Sequence, residues 1–553
     1  MKIRIFGIIF CLLTLSHAAQ GSPVDIHQFS NMDGKEPTSP LQSIEAEDVL
    51  ALLYRGMPNR AIALADRHIE ANPANPLPYI MKARTLREIL PEQDDNKDLI
   101  RENAEPIHDV LDQAIQLCNL GLKKDDDDLQ LRFYRGWAWM CKAQLHALGG
   151  SYWSAGRSAA KGNKDLQTYI SKHPDDPDAK GVLGTFLYFA DTLPSAIKVI
   201  KTLFFIPGGD RRKGLEYLRY ACSHESLLQT EHQIVLAAVY TIFEGRFEEG
   251  VSAFTTLIES YPDYLRLVEP LAIVRTFYPS KMQHLVDIER SAIARCKRSS
   301  DCAFQEETIT RLRYHGSYYN MFFESPSLAI DEFASLIEEA PARPDWLIPL
   351  SLVNLGCLYA NSGRMDEACA AFNRVVENKN MKHFHDIASQ MLEAKSSSLE
   401  SLMAGDNDFI HNIYLTDPQC AYAGLENYHR TKGPTVLYEF YHGESLLLAG
   451  DFAQAALHFQ NAIDQDVPGY SQAYQMLAAV RMAEIKGMQG DYDAAGSYLD
   501  KGLSYYHKEF LVDMLIEGRK RYYERLKKGE LKMEPSVLLA TPLPDHSSQR
   551  ILD

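Results

Sequence analysis

One stretch in the middle of the chain, Leu352 to Val375, reads as two helices that must pack closely together. Its first half places four residues at i, i+3, i+4 and i+7, the spacing of one helix face: Leu352, Leu355, Gly356 and Tyr359. Ser362-Gly363 breaks this helix, and a second face follows Met365: Ala368, Phe372 and Val375. The small side chains of Gly356 and Ala368 let the two backbones approach. The stretch therefore predicts an αα-hairpin.

The same spacing recurs along the chain. Further copies contain Ala238, His315-Gly316, Gly443 and Ala483 at the matching position, and a weaker one surrounds Ala61. The distance is 40 residues both from Gly316 to Gly356 and from Gly443 to Ala483. Hairpins repeated in this way stack on their neighbours, so the 553 residues add repeats rather than separate domains. We expect degenerate helix pairs to fill 269–295 and 383–429.

These hairpins resemble the tetratricopeptide repeat (TPR), in which Leu-Gly-x-x-Tyr of one helix precedes Ala-x-x-x-Phe of the next. Leu355, Gly356, Tyr359, Ala368 and Phe372 carry the match. The resemblance implies an all-α solenoid of antiparallel helix pairs, wound as a right-handed superhelix. It also implies that the chain binds other proteins.

The first 19 residues have the features of a signal peptide. Lys2 and Arg4 precede an apolar run from Ile5 to Leu15, and small residues follow at Ala18 and Ala19. A membrane anchor is the weaker interpretation, because about 20 apolar residues are needed to span a bilayer. We therefore expect a cleaved leader, export to the periplasm or the cell exterior, and a flexible segment over 20–43.

The region 166–230 departs from the repeats. It contains a Leu-Pro step, an apolar segment at 197–206 and a Pro-Gly-Gly-Asp-Arg turn at 207–211. It resembles exported bacterial TPR proteins and, more distantly, the TPR family of the yeast inclusion-body clearance protein. The sequence predicts N-terminal repeats over 44–165, this divergent insert, further repeats with a C-terminal helix over 231–528, and a disordered tail over 529–553. Pro91 to Glu105 reads as an acidic loop.

In TPR arrays the second, fifth, ninth, twelfth and thirteenth positions of each unit face a concave groove, so the resemblance implies a partner-binding role for them. In the copies at Ala238, Gly356 and Gly443 they are largely apolar: His232, Val235, Val239, Ile242, Phe243, Leu350, Val353, Cys357, Ala360, Asn361, Leu437, Phe440, Glu444, Leu447 and Leu448. An exposed apolar groove of that length would be a liability. The groove would hold an apolar helix or lipid-like ligand, or the chain would cover it with its own segments.

Two smaller features each have a functional and a structural interpretation. Gly208, Gly209, Asp210 and Arg211 would suit an anion nest, but they also suit a helix start with Asp210 as N-cap, which we favour. Cys296 and Cys302 would close a small disulfide loop in an exported protein. The other cysteines mostly read as small buried apolar residues.

No motif identifies a catalytic residue, a cofactor or a metal site. The histidines of His383-Phe384-His385-Asp386 are two residues apart, and such residues do not face one another on a helix. The net charge of −17 disfavours nucleic acid as a partner. We expect a non-catalytic protein-binding scaffold. Two alternatives stay open: a carrier of an apolar small molecule or lipid near Trp137, Tyr188 and Phe204, and peripheral membrane association through 197–206.

Overall fold

The computed structural model describes residues 44–90, 97–192, 208–275, 283–298, 306–339, 346–377, 382–394, 408–415, 418–505 and 510–533. Within these ranges every regular element is a helix and there is no strand. The prediction of an all-α fold is confirmed. The handedness of the superhelix stays a prediction. So do the leader, the apolar segment at 197–206 and the disorder of the tail; the first two and the tail beyond residue 533 lie outside the described ranges.

The described residues form two compact units. Unit one comprises the residues up to Val239 together with Gly250–Val268 and Ser291–Glu307. Its helices in chain order are α1 (Ile44–Tyr54), α2 (Pro58–Ala71), α3 (Leu77–Glu88), α4 (Lys97–Leu122), α5 (Leu129–Leu148), α6 (Tyr152–Lys172), α7 (Pro177–Thr192), α8 (Arg211–Ser223), α9 (Gln229–Ala238) and most of α10 (Phe247–Ser260). Consecutive helices pack on one another throughout the series up to α7, and α8 packs on α7.

Unit two comprises Tyr240–Glu249, Glu269–Arg290 and the residues from Thr308 onward. Its helices are α11 (Glu269–Arg275), part of α12 (Gln283–Cys296), α13 (Glu306–Phe323), α14 (Pro326–Glu339), α15 (Leu347–Asn361), α16 (Met365–Glu377), α17 (Lys382–Ala394), α18 (Asp408–Leu415), α19 (Pro418–Lys432), α20 (Val436–Leu448), α21 (Phe452–Asp464), α22 (Gln472–Met488), α23 (Tyr492–Ser504) and α24 (Phe510–Lys527). The domain boundaries at 165 and 231 do not coincide with this division, and they stay predictions.

The central hairpin forms as its sequence predicts. Helix α15 ends at Asn361, Gly363 takes a positive φ of 76° in the turn, and α16 begins at Met365. A Cβ on Gly356 would lie 2.5 Å from the ring of Phe372, so only glycine allows this approach. The repeat at Gly443 uses the same contact, where a Cβ would lie 2.6 Å from the ring of Phe459. These small residues therefore set the distance between the paired helices.

Two predicted details differ from the structure. The acidic stretch before Glu105 is helical from Lys97 onward, because α4 buries a periodic face that outweighs the interior Pro106: Ile100, Ala104, Ile107 and Leu111. Gly316 is not a close-packing residue, since within the described part of the chain a Cβ there would meet only the Glu289 carboxylate, at 3.9 Å. Repeat spacing thus places Gly316 on a helix without identifying what it contacts.

The copy at Ala238 contains a π-helical turn over Val239–Phe243. In unit two, α24 supplies donors to carbonyl oxygens at this turn: Arg521 Nε donates to Phe243 at 2.8 Å, and Arg519 Nη1 donates to Gly245 at 2.8 Å. Gly518 permits the contact, because a Cβ there would overlap the carbonyl oxygen of Ile242. The C-terminal helix therefore supplies hydrogen-bond donors to two carbonyl groups of residues 240–249.

Candidate functional site

The positions predicted to face a groove are almost all buried. Of the fifteen, only Leu448 is exposed, at 37%. In unit two, the amide oxygen of Asn361 accepts a hydrogen bond from Ser471 Oγ at 2.7 Å, and Phe440 packs against Tyr474 with ring centroids 5.9 Å apart. This burial agrees with the alternative in which the chain covers the surface itself. A partner-binding role for these residues stays a prediction, and it would require that they become uncovered.

Glu444, the one acidic residue among these positions, is fully used inside unit two. Its carboxylate accepts from Arg481 Nε at 2.5 Å and Nη2 at 3.2 Å, and from the hydroxyl of Tyr414 at 2.9 Å. Because a buried charge must be paired to be tolerated, this network accounts for both Glu444 and Arg481. Glu444 thus joins α20 to α22 and α18 rather than facing solvent.

A cluster of aromatic side chains lies instead on three successive helices, α19, α20 and α21, and its Tyr422 is exposed. We call Tyr422, Tyr438, His442, Leu457 and His458 the Tyr422 patch. Tyr422 is 52% exposed and Leu457 is 53% exposed. Ring centroids lie 6.1 Å apart for Tyr422 and His442, and 4.0 Å apart for His442 and His458. Tyr438 lies beneath them, 5.2 Å from His442.

Two imidazoles of the Tyr422 patch have different surroundings. His458 Nδ1 lies 2.8 Å from a carboxylate oxygen of Glu439. The pKa of His442 is lowered, first by burial and then by the adjacent His458. Its Nδ1 has no hydrogen-bond partner among the described residues. The patch therefore presents the exposed side chains of Tyr422 and Leu457 beside His442, whose lowered pKa keeps its imidazole neutral at pH 7.

Sequence reasoning missed the Tyr422 patch, although a signal was present. His442 and His458 immediately precede Gly443 and Phe459, the two residues in close contact between α20 and α21. On both helices, the residue one position earlier lies on the same side of this contact. The close contact of Gly443 with Phe459 therefore predicts that His442 and His458 lie together.

The chain itself uses part of the predicted anion nest. Asp210 caps α8 by accepting from the Lys213 amide at 2.9 Å, as the structural interpretation expects. The Asp210 amide donates to the Leu187 carbonyl at 3.1 Å, and the Arg211 amide donates to an Asp191 carboxylate oxygen at 3.3 Å. The amides of Asp210 and Arg211, two of the four predicted nest residues, are therefore already used within the chain. Anion binding by Gly208, Gly209, Asp210 and Arg211 stays a prediction without support from the geometry.

The remaining candidates are partly outside the described residues. Cys296 is disulfide-bonded, whereas Cys302 lies outside them, so the pairing stays a prediction. Trp137 and Tyr188 are buried core residues, and Phe204 with the whole of 197–206 is not described. In the described part of the chain, no group of three His, Cys, Asp or Glu side chains is arranged to hold a metal ion. None of the described helices combines the length and apolarity needed to cross a membrane.

Residues 350–380 match the family model described as tetratricopeptide repeat. No curated protein sequence matches the chain. Among solved structures, the P58(IPK) TPR domain is 13% identical, with 79% of this chain and 100% of that one covered and a TM-score of 0.20. The Cut9–Hcn1 hetero-tetramer of APC/C is 14% identical, with 89% of this chain and 92% of that one covered and a TM-score of 0.20. Yeast Tom70 is 10% identical, with 88% of this chain and 96% of that one covered and a TM-score of 0.19. Scores this low say nothing about the function of this chain.

Proposed function

We propose that this tetratricopeptide-repeat protein is a non-catalytic scaffold that binds protein partners, and that a cleaved leader exports it to the cell envelope. The matched repeat at 350–380 and the recurrence of its Gly–Phe contact at Gly443 and Phe459 support the scaffold. Repeats of this kind present a large preformed surface, which lowers the entropy cost of binding. The basic start and apolar run of the first 19 residues support export.

We place the docking surface at the Tyr422 patch, and its exposure is the observation that carries this choice. Aromatic side chains dominate the energetics of protein interfaces because they bury large area with few rotatable bonds. Tyr422 and Leu457 are accessible, whereas the predicted groove residues, Leu448 aside, are buried. The partner we expect is a protein segment whose apolar side chains contact Tyr422 and Leu457.

The test is chemical cross-linking of the purified mature protein in an envelope fraction, followed by mass spectrometry. One dominant protein partner should be captured by the wild type and lost at least tenfold in a Tyr422→Ala/Leu457→Asp variant. Leu120→Asp is the matched control, because Leu120 is 57% exposed on α4 of unit one. It should retain the partner.

Three results would count against the proposal. Capture of no protein by the wild type would overturn the scaffold. Undiminished capture by the double variant would place docking elsewhere. Export is tested separately by N-terminal sequencing, which should show cleavage after Ala18 or Ala19, and an intact Met1 in the envelope fraction would contradict it.

A further inference from the structure

Unit one contains a cavity between four helices that the scaffold function does not use. It is a small, partly open recess where α3, α4, α5 and α9 meet. Its wall is apolar at Ile107, Leu111 and Leu145. The charged residues that line it are Arg84, Arg87 and Glu231.

Both arginines bring unused hydrogen-bond donors to the cavity. Arg84 and Arg87 are only 3% and 5% exposed. Arg84 Nε donates to Glu231 at 2.7 Å, but its Nη1 and Nη2 have no partner among the described residues. The Nε and Nη2 of Arg87 likewise have none there. Buried donors attached to a cation are costly to leave unpaired, so four such nitrogens around one cavity require an acceptor.

The charges around the cavity are also unbalanced. Two arginines and one glutamate line it, which leaves one positive charge. Glu88 does not cancel that charge alone, because it lies 3.8 Å from Arg87 and 3.9 Å from a further arginine, Arg266, and accepts a hydrogen bond from the Tyr264 hydroxyl. These three arginines and two glutamates still leave one positive charge.

We propose that this cavity binds a small oxyanion, a carboxylate or a phosphate group, between the guanidinium groups of Arg84 and Arg87. A planar guanidinium matches two oxygen atoms of such a group, and its charge strengthens both hydrogen bonds. The apolar residues of α4 and α5 exclude water from the ion pairs, which further strengthens them. Binding joins α3 to its neighbours and therefore stabilises unit one. The site is independent of the Tyr422 patch in unit two.

The experiment measures the thermal unfolding midpoint of the mature protein in low-salt buffer with increasing sodium acetate or sodium phosphate. Sodium chloride at the same ionic strength is the reference. At least one oxyanion should raise the midpoint of the wild type by about 2–4 °C more than chloride does. Comparing acetate with phosphate identifies which of the two groups the site prefers.

Arg87→Met should abolish this oxyanion-specific rise, and Arg67→Met, an exposed arginine of α2, should keep it. Without oxyanion, Arg87→Met should be at least as stable as the wild type, because it removes the unbalanced charge. Should Arg87→Met not fold, Arg87→Lys is the second variant, because it keeps the positive charge but loses the planar guanidinium that binds two oxygen atoms. Arg87→Lys should weaken oxyanion binding about tenfold in calorimetry.

Equal rises in the wild type and Arg87→Met would show a general salt effect and overturn the site. The absence of any oxyanion-specific rise in the wild type would show that the donors meet water only, and it would overturn the site as well.

Discussion

Arg519 on α24 holds Glu484 on α22 with two hydrogen bonds, from Nε at 2.8 Å and from Nη2 at 2.7 Å. Both side chains are buried. The third nitrogen of the same guanidinium donates to the Gly245 carbonyl, 274 residues earlier in the chain. One side chain thus connects three segments of unit two that are distant in sequence.

Arg519→Met should destabilise unit two by about 3–5 kcal/mol, because it leaves the Glu484 carboxylate buried without its partner. Urea unfolding followed by circular dichroism measures this. Adding Glu484→Gln should recover part of the loss, since the uncompensated charge disappears. Arg364→Met, which breaks the exposed pair with Glu367, should leave the midpoint unchanged. Equal shifts of the urea midpoint in Arg519→Met and Arg364→Met would contradict the stabilising role of the buried Arg519–Glu484 pair.

Gly356→Ala should destabilise the central hairpin by about 1–3 kcal/mol, because the added methyl would lie 2.5 Å from the Phe372 ring. Gly496→Ala is the control on α23, where a Cβ meets nothing within 4 Å. There the substitution should stabilise by up to about 1 kcal/mol through helix propensity. Urea unfolding measures both changes in the free energy of unfolding. A loss for Gly356→Ala with a gain for Gly496→Ala would confirm the close approach of Gly356 to Phe372, and a gain for both would refute it.

Stability should fall as the pH drops from about 6.5 toward 4, and His232 should contribute to that fall. Burial lowers the pKa of His232 to about 4, against about 6.5 in an unfolded chain. In this window the unfolded state binds a proton that the folded state does not, so protonation favours unfolding. The contribution is about 3 kcal/mol at most for a shift of this size.

His232→Gln removes this titration, so its loss of stability between pH 7 and pH 4.5 should be smaller than that of the wild type. Urea midpoints at the two pH values measure the difference. Identical losses in the two proteins would show that His232 is not responsible. Glu289 acts in the opposite sense, because burial raises its pKa and its protonation favours the folded state.

Partner capture through the Tyr422 patch should be stronger at pH 7.5 than at a pH below the lowered pKa of His442. The pKa of His442 is lowered by burial, so its imidazole is neutral at pH 7.5 and gains charge as the pH falls through that lowered value. A charge beside His458 and Tyr422 opposes apolar docking. Binding of the captured partner at both pH values measures the effect. His442→Gln should bind with a smaller pH dependence, and an unchanged dependence would exclude His442.

Two native thiols should resist alkylation at pH 8. Burial raises the pKa of Cys118 and of Cys357 to about 12, so very little thiolate forms. Iodoacetamide labelling with peptide mapping should modify them only after unfolding. The same map, made without reduction, tests the predicted Cys296–Cys302 loop. Recovery of Cys296 linked to any other cysteine would replace that pairing.

The sequence predicts local packing well and distant packing poorly. Gly356 and Phe372 are 16 residues apart, so helix periodicity alone brings them together. The burial of His232 and its neighbours could not be inferred in this way, because it depends on contacts such as Arg84 with Glu231, 147 residues apart. The same reason explains the cavity in unit one: no motif marks Arg84 and Arg87, and only the fold brings α9 beside them.

The docking of α24 on residues 240–249 has a consequence for the order of events on the ribosome. Domains generally fold from the N-terminus as they are synthesised. The carbonyl groups of Phe243 and Gly245, however, receive donors from Arg521 and Arg519, which are translated about 275 residues later. Until the last helix has left the exit tunnel, these two carbonyl groups lack the arginine donors of the finished fold, so a nascent chain that stops before Phe510 cannot make these two contacts.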